Sequence, residues 1–135
     1  MKELTIDAKV ENVEVVIAFV IEELKLLNCS SKVLKQIEIA IDELFSNIAY
    51  YAYENSKGKA TVRVEISNDP LAVLITFVDN GIPYDPFKKK DPNISLAADE
   101  RQAGGLGIYI VKKTMDEIVY KYEEGKNILS IKKHI

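Results

Sequence analysis

Apolar and polar positions follow two rhythms along this chain, and the changes of rhythm mark its elements. Over residues 10–27 the spacing is helical, with Val13, Val16, Ile17, Val20, Leu24 and Leu27 on one side. Asn28 suits the stop, and Ser30 or Ser31 suits the N-cap of a second helix running to about Tyr53. In that helix Ile37, Ile41, Leu44, Ile48 and Tyr51 fall at steps of four, three, four and three and form one apolar stripe. Residues 4–9 alternate weakly and suit an edge strand. Residues 61–66 alternate cleanly, which gives a strand with one buried and one exposed face. Residues 71–78 are more apolar and read as a central strand. Residues 84–103 hold no period, contain Pro86 and Pro92, and are long for a plain connection. A short helix carrying Ile108, Ile110, Val111 and Met115 follows. Strands at 118–122 and 128–132 close the chain, joined by a hairpin turn over Glu124, Gly125, Lys126 and Asn127.

This order predicts a two-layer α/β (α+β) sandwich: a mixed, mainly antiparallel sheet covered on one face by helices. At 135 residues the chain is expected to form one domain, 1–135. Apolar residues make up 47%, enough for a real core.

The net charge of -3, with lysine and arginine spread thinly, argues against direct nucleic-acid binding, which needs a basic face. The one dense basic run, Lys88-Lys89-Lys90, sits in the irregular stretch beside Asp91. Cys29 stands alone, so no internal disulfide forms, and a reducing, cytoplasmic setting is expected. The single histidine, His134, is at the end of the chain, which disfavours zinc and Ser/His/Asp chemistry. No stretch is long and apolar enough to span a membrane.

Three motifs carry candidate chemistry. Glu43 and Asn47 are an i, i+4 pair on one helix face. An amide oxygen at Asn47 suits Mg²⁺, which prefers oxygen ligands and keeps phosphate oxygens and water around it. Glu43, one turn away, can act as a general base. Asp79 follows a buried strand, where its carboxylate can accept from an exocyclic amine such as adenine's. Gly81 lets a flat ring approach the backbone, although an Asp-Asn-Gly turn also needs no ligand. Gly104-Gly105-Leu106-Gly107 precedes a helix, and its exposed N–H groups can hold phosphates or form a hinge. It lacks the Lys-Ser/Thr of a P-loop and does not directly follow a strand, so neither that motif nor the dinucleotide fingerprint applies. Arg101 can reach a terminal phosphate, or pair with Asp99 or Glu100.

The order of these motifs is more specific than any one of them. Glu-x-x-x-Asn on a helix, Asp-x-Gly-x-Pro after a strand, a long loop and Gly-Gly-Leu-Gly opening a helix resemble the ATP-binding domain of the GHKL superfamily. That group includes gyrase-type ATPases, histidine kinases and MutL-type repair proteins. The run from Asp79 to Pro86 and the chain length are most similar to the anti-sigma-factor serine/threonine protein kinase branch. The resemblance implies a Bergerat-type fold with residues 84–103 as the ATP lid, and ATP and Mg²⁺ as cofactors. It implies Asn47 as metal ligand, Glu43 as general base, and Asp79 with Gly81 at the adenine. Gly104, Gly105, Leu106 and Gly107 would lie along the phosphates, with Arg101 at the γ-phosphate. It further implies a homodimer whose partners are a sigma factor and an anti-anti-sigma protein phosphorylated on serine. Relatives carry Ala after the Asn and His four residues past it; here Ile48 and Tyr51 stand there. A non-catalytic nucleotide-gated binding module draws on the same motifs and is the alternative.

Overall fold

The structure is a computed structural model and describes residues 1–53, 56–88 and 106–135. Five strands form one sheet: β1 (Lys2–Asp7), β2 (Lys59–Ser67), β3 (Ala72–Asp79), β4 (Glu117–Glu123) and β5 (Lys126–His134), in the order β1-β2-β3-β5-β4. Every pairing is antiparallel, so no part of the sheet is mixed among the described residues. The weakly alternating N-terminal strand lies at one edge, and the most apolar strand, β3, lies in the centre. Its Val73, Ile75 and Phe77 lie in the core, while Leu74 and Thr76 between them are half-buried.

Three helices cover one face: α1 (Val13–Leu24), α2 (Ser31–Asn47) and α3 (Leu106–Thr114). Ser30 caps α2, its Oγ accepting the Val33 N–H at 3.1 Å. Asn28, at φ 53, makes the left-handed break between α1 and α2. The core lies between Val16, Val20, Ile37, Ile41, Leu44 and Phe45 of the helices and Val62, Ile75, Phe77 and Ile131 of the sheet. The opposite face is polar, with a Thr5–Thr61 hydroxyl contact at 2.9 Å and Thr76–Ser130 at 3.1 Å. No described helix is long and apolar enough to cross a membrane.

Two departures from the sequence expectations bear on the site. Past Asn47, α2 widens into a turn of π-helix, Ile48–Ala52. Each π turn takes up an extra residue, so the apolar stripe loses phase. Tyr51, expected on that stripe, is 50% exposed, and Ala52 is buried in its place. The second departure is in the last hairpin. Its tight turn consists of Glu124 and Gly125, at φ 52 and φ 77, the left-handed pair that a two-residue hairpin requires. Asn127 is therefore a buried residue of β5, not part of the turn.

Candidate functional site

The site lies at the end of the sheet where β3 stops and β5 starts. Asp79 and Asn127 face each other in the β3–β5 register. They are the two buried polar residues of the described chain, each 5% exposed. The Asp79 Oδ1 accepts from the Gly81 N–H at 2.8 Å and from the Asn127 Nδ2 at 2.9 Å. Burial pushes the Asp79 carboxyl pKa up, and these two donors partly offset it. Asn127 Nδ2 also donates to the Ile82 carbonyl at 2.8 Å, while its Oδ1 accepts the Tyr84 N–H at 3.1 Å and the Tyr120 hydroxyl.

A small cleft of about 30 Å³, partly open to solvent, lies against this pair. Leu44, Asn47, Ile48 and Ala52 line it from α2 and its π turn, and Phe77 and Asp79 from β3. Ile82, Tyr84 and Pro86 complete the wall with Tyr120, Asn127 and Leu129. Apolar walls with a few converging polar groups are the usual make-up of a small-molecule site. Asn47 and Asp79, 32 positions apart in sequence, thus share one cavity.

Glu43 sits one turn before Asn47, and its carboxylate lies against the α-carbon of Gly107 in the first turn of α3, where any Cβ would strike it. A helix N-terminus favours negative charge there. Leu106 opens that helix and is 42% exposed. Tyr84 feels the same carboxylate: burial raises its phenol pKa most, with Tyr51, Glu43 and Asp85 adding to the rise. The Tyr51 and Tyr84 rings stand 5.8 Å apart, and Tyr84 lines the cleft.

Gly81 has a packing role in the fold. Its missing Cβ points at the Ala52 carbonyl, which also accepts the Ile82 N–H at 2.9 Å. The glycine therefore lets the strand-end turn dock on the π turn of α2. Tyr53 clamps the same turn, its hydroxyl accepting the Asn80 N–H at 2.9 Å and donating to the Lys59 carbonyl at 2.5 Å. Arg101, Gly104 and Gly105 lie outside the described residues, as does most of the expected lid. Of that stretch residues 84–88 are described, with Asp85 Oδ1 accepting the Phe87 N–H at 2.9 Å.

Asn127 and Tyr120 were not anticipated from the sequence. A signal for Asn127 exists: with the turn limited to Glu124 and Gly125, strand alternation puts Asn127 on the inward face with Leu129 and Ile131. A polar residue at an inward position is the informative case. Nothing comparable marks Tyr120.

A family model described as "Histidine kinase-like ATPase domain" matches residues 6–133. Curated relatives include the serine-protein kinase RsbW of Bacillus cereus, 29% identical over 103 residues, which covers 73% of this chain and 63% of the relative. The serine-protein kinase RsbW of Bacillus mycoides is 27% identical over the same length and coverage. The chain thus spans less than two thirds of the curated relatives it matches. Among solved structures, the RsbU and RsbW domains of Rv1364c from Mycobacterium tuberculosis align with a TM-score of 0.67 at 18% identity, over 99% of this chain and 32% of that one. That likeness is one of fold.

Proposed function

This chain belongs to the histidine kinase-like ATPase domain family, and on that premise we propose that it is an ATP-dependent serine/threonine protein kinase acting as an anti-sigma factor. In this reading a cytoplasmic homodimer holds a sigma factor. It is displaced by an anti-anti-sigma protein, which it inactivates by phosphorylating a serine. The observation that carries the reading is the shared cleft: Asn47 and Asp79 line one cavity, and Glu43 lies one turn from Asn47 at the start of α3. The serine-protein kinase relatives support the reaction class.

The roles follow from the chemistry of the residues. Asp79, an acceptor, would take the adenine amino group, and the apolar wall of Leu44, Ile48, Ile82 and Leu129 would flank the ring. The donor present fits Mg²⁺, because Asn47 offers a neutral hard oxygen beside the cleft. Asn47 would therefore hold the ion together with phosphate oxygens and water. When bound, Mg²⁺ would neutralise charge on the phosphates. Glu43 would accept the serine hydroxyl proton as the serine oxygen bonds to the terminal phosphorus and the bond to the departing ADP oxygen breaks. Gly104, Gly105, Leu106 and Gly107 would lie along the phosphates, and Arg101 would contact the γ-phosphate.

Calorimetric titration of ATP, with and without Mg²⁺, tests the site. Wild type should bind in a Mg²⁺-dependent manner, and Asn47→Ala should lose at least about tenfold in affinity, the scale of one charge-assisted contact. Glu43→Ala should keep binding and lose phosphoryl transfer to the cognate anti-anti-sigma protein. Full transfer by that variant would remove Glu43 from the base role. Binding without transfer to any natural partner would leave the nucleotide-gated binding module.

A further inference from the structure

The carboxylate at the bottom of the cleft is not free to choose its partner. Both protein donors that reach Asp79, the Gly81 N–H and the Asn127 amide, converge on Oδ1. No donor among the described residues reaches Oδ2. Asp79 lines the cleft, so its second carboxylate oxygen is the one left for a ligand there.

The Asn127 carboxamide could present either end to Asp79, and its surroundings select one. Its Nδ2 side meets two acceptors, Asp79 Oδ1 and the Ile82 carbonyl. Its Oδ1 side meets two donors, the Tyr84 N–H and the Tyr120 hydroxyl. A flipped amide would set oxygen against two oxygens and N–H against N–H. The Tyr120 oxygen also accepts the Tyr84 N–H at 3.1 Å, so one phenol ties both groups on that side. Tyr120 makes no hydrogen bond to Asp79 itself.

We propose that Asn127 determines which purines the cleft accepts, and that Tyr120 is a positioning residue acting through it. Together they leave Asp79 one open acceptor atom, so the base must bring a donor: an exocyclic amine. A purine with a keto oxygen there would set acceptor against acceptor, and one with hydrogen would leave Oδ2 unpaired. Without the Asn127 amide, Asp79 is short of a donor. It can then take a proton, and so offer a hydrogen bond to a keto purine. This inference rests on the nucleotide-binding reading above.

The test compares Mg²⁺-dependent binding of ATP, inosine triphosphate and purine riboside triphosphate to the full chain. Wild type should favour ATP over the other two by about tenfold or more, Asn127→Leu should bring ATP and inosine triphosphate to within about twofold, and Tyr120→Phe should fall between. Adding Tyr120→Phe to Asn127→Leu should change the ratio no further, the signature of one residue acting through another. Thermal melts check that each variant folds. Should Asn127→Leu prove unfolded, the Tyr120→Phe ratio alone decides. Equal loss for all three nucleotides, or an unchanged ratio in Tyr120→Phe, overturns the inference while leaving nucleotide binding standing. A wild type that binds none of the three overturns the proposed function, and this inference with it.

Discussion

At the scale of single residues, the proposed role of Asp79 sets function against stability. Its pKa is raised by burial, so folding favours the neutral carboxyl. The stability it contributes is complete below the ordinary carboxylate range and is lost as pH rises through its folded-state value. Asp79→Asn removes the charge and can keep both Oδ1 bonds, but it turns an NH₂ group towards the cleft. The melting temperature at pH 7 should be unchanged or higher, and the gap to wild type should narrow as pH falls. ATP affinity should drop by at least about tenfold, since donor would meet donor. Melts from pH 4.5 to 8 alongside titrations check both halves. The two close-packed glycines should fail in opposite ways. In Gly81→Ala the new methyl meets the Ala52 carbonyl, backbone already held by the Ile82 N–H, so a loss of about 1–3 kcal/mol in stability is expected. In Gly107→Ala the obstacle is the end of the Glu43 side chain and not backbone. Stability should change by less than about 1 kcal/mol, while transfer falls about a hundredfold as the base leaves its place. Denaturant melts and transfer assays on the two variants separate these outcomes.

At the scale of elements, the helical and strand rhythms gave α1, α2 and all five strands because each buries a single face. The Glu43–Asn47 pair was readable for the same reason: an i, i+4 relation holds wherever the helix is regular. The regularity ends at Asn47, and the π turn is invisible to a periodicity argument that assumes 3.6 residues per turn. That turn exposes Tyr50 and Tyr51, buries Ala52, and aims the Ala52 carbonyl at the strand-end loop. Deleting Tyr50 should restore a regular helix and carry Ala52 out of register. Far-UV circular dichroism should then show helix content retained while ATP titration shows binding lost. A deletion variant that binds normally would show that the widened turn does not set the cleft.

At the scale of the whole molecule, the candidate site divides into a legible half and a hidden half. Glu43, Asn47 and Asp79 each follow from local pattern. Strand alternation puts Asn127 inward once the turn is limited to two residues, but its meeting with Asp79 depends on β3 and β5 pairing in register, and nothing local marks Tyr120. The turn length was the missing datum: reading four turn residues instead of two moved Asn127 out of the sheet. The sheet order has a kinetic consequence. β3 and β5 are neighbours in space, yet α3 and β4 lie between them in the chain, and the Asp79–Asn127 bond spans 48 positions. Closing so long a loop is costly, and such non-local pairing is slow. The floor of the cleft therefore forms only when β5 docks, and a chain still crossing its folding barrier offers a nucleotide nothing to hold. Saturating Mg-ATP should slow unfolding in stopped-flow experiments and leave the folding rate unchanged. A folding limb that quickens with nucleotide would mean that β5 is already in place at the barrier.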